Sequence, residues 1–314
     1  MVGLQNYTPK FNSKTVKAVE LWLLIGIREK GMRLVLCLMT VFMSASTLSQ
    51  TGIPKMSAEN GYIEPFKMFD NVYYIGDKWV SSYAIDTSSG LVIIDTLDFP
   101  YSKWIPQNLQ KLGLGDKAVS YIIVTHGHSD HVGGAEFLQS IYNSKVIMTE
   151  KGLELTKKQS EKSKGENKFM PPKVFKFAED KSEVLLGDTK FTFYITPGHT
   201  EGDLSIDFLV KDSGSEYRAF VVGGHGVNFQ NPALAKQYFA SMKRIKKIAE
   251  SSPVVTVNLS NHPHKNNLFS NRDRVKEASS NNPFISKDNF FNFVDQQVDL
   301  ATKEQQKASK PQVN

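Results

Sequence analysis

Cysteine is almost missing from this chain of 314 residues, which contains one, Cys37. Because no thiol occurs after it, the rest of the chain can form neither disulfides nor thiolate metal sites. Long hydrophobic runs are missing too. The apolar run Leu34–Met43 is shorter than the roughly 20 residues that a membrane-spanning helix needs. We therefore expect no stable membrane partner.

An excess of one charge is also missing from most of the chain. The formal net charge is +6, but residues 1–50 hold six basic and two acidic side chains. The remaining residues carry 32 basic and 30 acidic side chains. Such a balance gives no basic footprint for nucleic acid, so we expect no nucleic-acid partner.

The N-terminal segment has the layout of a secretory signal peptide. From Met32, a basic residue, an apolar run and then small residues follow one another, with cleavage expected between Ser46 and Gln50. An uncleaved anchor is the alternative, and either Met32 is the true start or the leader is unusually long. We expect a periplasmic or secreted protein with three parts. They are an extension with signal peptide (1–50), a globular domain (51–280) and a C-terminal helix with a tail (281–314).

Short strands and helices alternate along residues 60–262 in two similar halves. Apolar, β-branched runs predict strands, the first three in an antiparallel meander, and apolar spacings of three and four predict helices. The lysine-rich segment 156–173 predicts a surface loop, with at most a helical turn at its start. The pattern suits a single α/β (α+β) domain with two sheets packed face to face and helices outside. The predicted strands are 71–76, 80–85, 91–95, 119–125, 145–149, 184–186, 190–195, 204–210, 219–222 and 254–259, and the predicted helices are 103–112, 135–142, 232–251 and 290–301.

Histidine is scarce as well, and its seven residues are not scattered. Each follows a predicted strand, where loops held by a rigid sheet commonly carry chemistry. They are His126, His128, His131, His199, His225, His262 and His264. His264 fits an ordinary hydrogen-bonded residue, whereas His225 fits that reading and a functional one equally.

The spacing of these histidines predicts two metal sites. His126 and His128, two residues apart on an extended stretch, point to the same side and can bind one ion together with His199. Three histidine ligands leave a coordination position open, as in catalytic zinc sites. Asp130 and His131 could hold a second ion with His262. Nitrogen and oxygen donors suit zinc, with iron or manganese as alternatives.

The run H-G-H-S-D-H (His126–His131) resembles the H-x-H-x-D-H signature of the metallo-β-lactamase superfamily. The likeness extends from about Ile63 to Lys276 and includes G-L-V-I-I-D-T (Gly90–Thr96), T-P-G-H-T (Thr196–Thr200) and S-N-H-P (Ser260–Pro263) in the family's order. The resemblance implies the four-layer αβ/βα sandwich, with the metals at one edge of the sheets. The fold hosts many hydrolases, so it specifies the substrate poorly.

Within this superfamily the chain is most similar to the subclass B3 metallo-β-lactamases. The segment 221–229 offers neither the bridging aspartate of other branches nor the cysteine of subclasses B1 and B2. The resemblance implies a zinc hydrolase that opens a β-lactam ring with a hydroxide bound by two zinc ions, and we expect it to be a monomer. Asp130 would orient the hydroxide, and Asp95 would orient a ligand. A serine of many B3 enzymes is Gly224 here, and we expect Gly224, His225 and Asn228 at the substrate.

Two alternatives stay open from the sequence. The same metals could serve a related hydrolase that acts on a lactone, another amide or a phosphodiester, as the missing serine suggests. A metal-binding protein without activity is the other alternative, and the complete ligand set argues against it.

Overall fold

Apolar residues in short, alternating runs build two β-sheets in the computed structural model, which describes residues 52–228, 230–277 and 281–308. The strands are β1 Phe66–Phe69, β2 Val72–Tyr74, β3 Tyr83–Thr87, β4 Gly90–Ile94, β5 Val119–Ile123, β6 Lys145–Met148, β7 Val174–Phe177, β8 Glu183–Leu186, β9 Thr189–Ile195, β10 Leu204–Asp212, β11 Ser215–Val221 and β12 Val255–Asn258. The helices are α1 Trp104–Lys111, α2 Ser129–Val132, α3 Ala135–Tyr142, α4 Glu150–Lys162, α5 Pro232–Ala249, α6 Leu268–Glu277 and α7 Lys287–Ala308.

The first sheet, sheet A, has seven strands in the order β1-β2-β3-β4-β5-β6-β7. Its first four strands form an antiparallel meander, in which Tyr83 lies opposite Ile94. The strands from β4 to β7 are parallel. The second sheet, sheet B, has five strands in the order β12-β11-β10-β9-β8 and is antiparallel except for the β11–β12 pair.

The two sheets pack face to face, with helices on both outer faces. Successive residues of a strand point to opposite faces, so Ile94 packs between the sheets against Phe191 and Phe193. Ile93 packs on the other face of sheet A, beneath α1 and α3. Helices α5 and α7 cover sheet B through residues such as Phe290. This arrangement confirms the predicted αβ/βα sandwich.

Most predicted elements form within a few residues of their expected ends, but the interpretation of 156–173 is partly wrong. Residues up to Lys162 belong to helix α4 instead of a loop. Thr149 caps the N-terminus of this helix by accepting a hydrogen bond from the Gly152 N–H at 2.9 Å. Lysine and glutamate are good helix formers, and Thr156 lies on the buried face of the helix. The strands β1 and β7 and the helix α6 were not predicted.

The predicted strand 80–85 is shorter than expected. Strand β3 begins at Tyr83, because the two preceding residues bond elsewhere. The Ser81 N–H donates to the Asn261 carbonyl, and the Ser82 hydroxyl donates to the Asp95 carbonyl.

The predicted signal peptide and the residues before it lie outside the described residues. Within the described part of the chain, no helix is both long enough and apolar enough to cross a membrane. The boundary predicted at residue 280 stays a prediction. Helix α7 packs against α5, with Phe290, Phe293 and Val294 in one cluster with Tyr238 and Met242.

Candidate metal centre

The histidines and acids singled out from the sequence come together at one edge of the two sheets. Strand β5 leads to His126 and His128, and the short helix α2 that follows carries Asp130 and His131. From sheet B, the turn after β9 carries His199 and the loop after β12 carries His262. The two sheets thus contribute side chains to the same edge, although these residues are far apart in sequence.

The first cluster contains His126, His128 and His199, with one potential ligand atom from each within 4.8 Å of the others. The closest approach joins His199 Nε2 and His128 Nδ1 at 3.1 Å. The three ring centroids lie 4.9–5.0 Å apart. The Nε2 atom of His126 is buried and has no hydrogen-bond partner among the described residues.

The second cluster contains Asp130, His131 and His262, again within 4.8 Å of one another. His131 Nε2 lies 3.2 Å from Asp130 Oδ2 and 3.3 Å from His262 Nε2. The rings of His126 and His131 are 4.2 Å apart, so the two clusters adjoin. The structure brings together all six residues predicted as ligands, and their assignment as ligands stays a prediction.

Hydrogen bonds on the outer side of the rings fix which nitrogen is protonated. We assign the proton of His199 to Nδ1, which faces the Gly226 carbonyl at 3.0 Å, and that of His262 to Nδ1, which faces the Trp79 carbonyl at 2.8 Å. His131 Nδ1 faces the Asp95 carboxylate at 2.8 Å. The Nε2 of His199 and that of His262 are then unprotonated lone pairs turned toward the centre, as a metal ligand requires. The raised pKa of His131 keeps a proton on its Nε2 as well, which a bound metal would displace.

Asp95 links both clusters. Its Oδ2 accepts from His131 and from the Thr125 hydroxyl at 2.7 Å, and its Oδ1 accepts from the Thr125 N–H at 2.8 Å. The Thr125 oxygen lies 3.1 Å from His126 Nδ1 and can accept a hydrogen bond from its N–H. Asp95 has a left-handed backbone, φ 57°, which is uncommon outside glycine and is found at functional sites. Asp95 thus contacts His131 directly and His126 through Thr125, and its orienting role stays a prediction.

The electrostatics of the centre favour bound cations. Burial lowers the pKa of His126 well below its usual range and that of His128 to about 4, so both rings are neutral at pH 7. Burial also lowers the pKa of His262 to about 4. Around His131 burial is outweighed by Asp130 and Asp95, whose charges raise its pKa. The second cluster therefore attracts positive charge.

A divalent cation fits both clusters. The facing nitrogens of His199 and His128 lie 3.1 Å apart, so they can share either a proton or a cation. The facing nitrogens of His131 and His262, 3.3 Å apart, can do the same. The buried Nε2 of His126 also lacks a partner, which is costly for a buried polar atom. Five imidazoles and one carboxylate, with no sulfur, are donors that zinc accepts.

The residues predicted at the substrate occupy three different environments. Gly224 lies directly behind His199, where an added Cβ would come within 2.9 Å of the imidazole and 2.8 Å of Asp203 Oδ1. The ring of His225 packs against His262 and Phe293 with centroids 4.9 and 5.7 Å apart, and its Nε2 is enclosed. Only Asn228 lines an open cavity beside the first cluster.

Sequence reasoning missed the residues that hold His199 in place. The buried Asp203 accepts from the N–H groups of His199 and Thr200, both at 2.9 Å. Burial raises the pKa of Asp203 to about 7. The run T-P-G-H-T-E-G-D, in which an acid follows the histidine by four residues, was the available signal. Gly198 permits a close turn, since an added Cβ would lie 2.3 Å from Tyr238.

A second support of His199 comes from the two helices on sheet B. The Gly226 N–H donates to the Tyr238 hydroxyl at 2.9 Å, and that hydroxyl donates to Gln297 Oε1 at 2.7 Å. Helices α5 and α7 thus fix the position of the Gly226 carbonyl, which accepts a hydrogen bond from His199 Nδ1. No local pattern indicates this connection, because its members lie in three separate segments.

The fold and its paired clusters define a class of protein, the metallo-hydrolases built on the αβ/βα sandwich. The family model described as "Metallo-beta-lactamase superfamily" matches residues 76–212. This part of the chain is a domain of that superfamily, whose members are metal-dependent hydrolases.

Solved and curated relatives agree with this family. The structure titled BJP-1, a subclass B3 metallo-beta-lactamase of Bradyrhizobium japonicum, is similar with a TM-score of 0.69 and 26% identity, over 78% of this chain and 94% of that one. A "Beta-lactamase-like protein 2 homolog" of Caenorhabditis elegans is 23% identical over 167 residues, 53% of this chain and 51% of its own length. A "Probable polyketide biosynthesis zinc-dependent hydrolase PksB" of Bacillus subtilis (strain 168) is 28% identical over 153 residues, 49% of this chain and 60% of its own. The chain spans about half to three fifths of these two curated relatives.

Proposed function

We propose that this chain is a zinc-dependent hydrolase that opens the β-lactam ring, of the B3 type. The observation that carries the proposal is the pair of adjoining clusters, His126–His128–His199 and Asp130–His131–His262. Among the described residues, no cysteine and no further acid belongs to either cluster. The likeness to a structure titled as a subclass B3 metallo-beta-lactamase supports the proposal.

Ring opening adds water across the amide bond: oxygen bonds to the carbonyl carbon, the C–N bond breaks and the nitrogen takes a proton. Two zinc ions, when bound, would lower the pKa of a water and polarise the carbonyl. Asp130 is the side chain that can accept a hydrogen bond from the attacking water here. Burial opposes its ionisation, but the charge of His131 holds its pKa far below the usual range, and its side chain is 31% exposed.

The remaining side chains orient the candidate ligands and line the cavity for the substrate. Asp95 and Thr125 fix the rings of His131 and His126, and Asp203 fixes the turn of His199. Asn228 and Thr200 line the cavity of about 220 Å³ next to His128 and His199, where an amide substrate can lie. All six candidate ligands come from one chain, so a monomer can form the complete centre.

A sister activity on a lactone, another amide or a phosphodiester is the second candidate. Gly224 favours it, because no side chain fits where many B3 enzymes place a substrate-binding serine. The similarity to a Bacillus protein named as a zinc-dependent hydrolase of polyketide biosynthesis is compatible with it.

Purified zinc-loaded protein, incubated with a penicillin, a cephalosporin and a carbapenem, tests the proposal directly. Ring opening, followed by the loss of ultraviolet absorbance, is the expected result. If all three compounds stay intact while a homoserine lactone or a phosphodiester is cleaved, the second candidate replaces the first. Bound zinc without turnover of any of them would indicate a binding protein instead.

The ligand assignment has its own test. His199→Ala should lower the zinc content from two ions to one ion per chain, measured by elemental analysis. His264→Ala is the matched control, because His264 belongs to neither cluster, and it should keep both ions. Two ions in the His199 variant would show that the assignment is wrong.

We also propose that the protein is exported, on the strength of the signal-like segment after Met32. Expression in a Gram-negative host should yield periplasmic protein whose N-terminus, read by Edman sequencing, lies within residues 47–50. A β-lactamase in that compartment would raise the resistance of the host to the antibiotics that it hydrolyses. Cytoplasmic protein with an intact leader would contradict export.

A further inference from the structure

The cavity beside the first cluster has two different walls, one of candidate ligands and one of charged side chains. One side is formed by the predicted ligands His128 and His199, and helix α4 forms the opposite side. Its volume of about 220 Å³ is below the roughly 300–1,000 Å³ of common ligand pockets, which favours a small substrate. The other lining residues are Lys151, Glu154, Leu155, Lys158, Thr200, Glu201, Asn228 and Leu234.

The loop after β11, where the family resemblance places substrate contacts, has no group suited to an anion in its described residues. Gly224 has no side chain and no room for one. The Nε2 of His225 is enclosed by protein and does not face the cavity beside His128 and His199. Asn228 offers an uncharged amide. Recognition of an acidic substrate therefore has to come from another wall.

Helix α4 presents that wall. Positions 151, 154, 155 and 158 are spaced by three and four residues and share one face of the helix. Lys151 is already neutralised: its Nζ lies 2.8 Å from Glu154 Oε2, and the charge of Glu201 also acts on it. Lys158 forms no ion pair within 4.0 Å among the described residues and acts on Glu154 only at longer range. It is the cation of the cavity that is free to bind a ligand.

We propose that Lys158 binds the acidic group of the substrate, so that the enzyme selects small anionic amides or esters that carry a carboxylate. The inference rests on the proposed function, because it places the scissile bond at the clusters and the carboxylate at α4. Lys158 is exposed and lines the same cavity as His128 and His199, so its ammonium can meet a carboxylate of a substrate bound there. Lys158 is thus a specificity residue and takes no part in the bond-breaking step.

The test compares zinc-loaded wild type with Lys158→Ala on benzylpenicillin and on its methyl ester, which lacks the charge. We expect KM for the acid to rise about tenfold, which corresponds to about 1.4 kcal/mol, with kcat unchanged. KM for the ester should stay within about twofold, a split that general damage to the site would not give. Lys157→Ala is the matched control, since Lys157 is exposed on the same helix but does not line the cavity. Lys158→Arg should restore binding of the acid.

Calorimetric titration with the ring-opened acid separates this inference from the proposed function. If wild type opens neither compound but binds the acid, and Lys158→Ala weakens that binding tenfold, the proposed β-lactamase function fails and the anion site stands. If Lys158→Ala changes neither KM nor the binding of the acid, or if Lys157→Ala has an equal effect, the anion site is overturned. An equal rise in KM for the acid and the ester would overturn it too.

Discussion

At the scale of single residues, Gly224 shows how little space surrounds the first cluster. A Cβ there would lie 2.9 Å from the His199 ring and 2.8 Å from Asp203 Oδ1, closer than van der Waals contact allows. The glycine is therefore needed for the packing of His199 and Asp203 behind it. Replacing it with the family's serine should not repair a substrate site.

We expect Gly224→Ser to weaken zinc binding at the first cluster by roughly 10–100-fold, the usual cost of disturbing the support of a ligand. Competition with a chelator of known affinity measures this change. Gly52→Ser is the control, because nothing lies within 4 Å of an added Cβ at Gly52. Unchanged zinc affinity together with improved β-lactam turnover would contradict the prediction.

Asp77 is a second residue with a measurable consequence. It is 6% exposed, and its Oδ1 accepts hydrogen bonds from the Trp79 and Val80 N–H groups, each at 2.7 Å. Burial raises its pKa from 3.8 to about 6. The folded state thus holds the proton more tightly than the unfolded state, and stability falls as the pH rises from about 4 to about 6.

Asp77→Asn keeps an acceptor for both N–H groups and removes the buried charge. Above pH 6 the variant should be more stable than wild type by up to about 3 kcal/mol, and the difference should vanish below pH 4. Urea unfolding of zinc-free protein across this pH range measures it, with the exposed Asp116→Asn as control. Stability curves that run parallel from pH 4 to 7 would refute the effect.

At the scale of elements, helix α4 depends on its cap. The Thr149 hydroxyl accepts from the Gly152 N–H at 2.9 Å and donates to the Gly202 carbonyl at 2.7 Å, so it also ties the helix to the turn after His199. Thr149→Ala should lower the free energy of unfolding by about 1–2 kcal/mol. Thr149→Ser, which keeps the hydroxyl, should lose much less. Equal losses measured by urea unfolding would assign the effect to the methyl group instead of the cap.

The same element shows where sequence reasoning stopped. Strand β5 and the signature after it were predictable, because a continuous apolar run ends at closely spaced histidines. Helix α4 was not predictable, since its inward-facing residues Leu153 and Thr156 form too narrow a stripe among lysines and glutamates. The hydrogen bonds from the histidines to the carbonyls of Trp79 and Gly226 were not predictable either. They act through the backbone, and residue type carries no signal for that.

At the scale of the whole molecule, the candidate centre joins the two sheets. The loops of sheet A provide His126 and Asp130, and those of sheet B provide His199 and His262. Only the folded chain brings these side chains together. A metal that binds there adds its binding free energy to the stability of the fold.

Removal of zinc with a chelator should therefore lower the melting temperature. A site with zinc at 100 times its Kd contributes about 2.7 kcal/mol. Differential scanning calorimetry with and without chelator measures the shift, and adding zinc back should reverse it. The His199→Ala variant should show a smaller shift than wild type. Equal melting temperatures of wild type with and without chelator would show that zinc does not bind selectively to the folded state.

The absence of sulfur from all six candidate ligands has a practical consequence. Oxidants such as hydrogen peroxide disable thiolate-held zinc by converting the sulfur to its oxyacids, and this centre offers them no such target. Since residues 52–314 contain no cysteine, a cysteine introduced on α4 would be the sole thiol of that region. A fluorescent maleimide could then report ligand binding in real time without touching the metals.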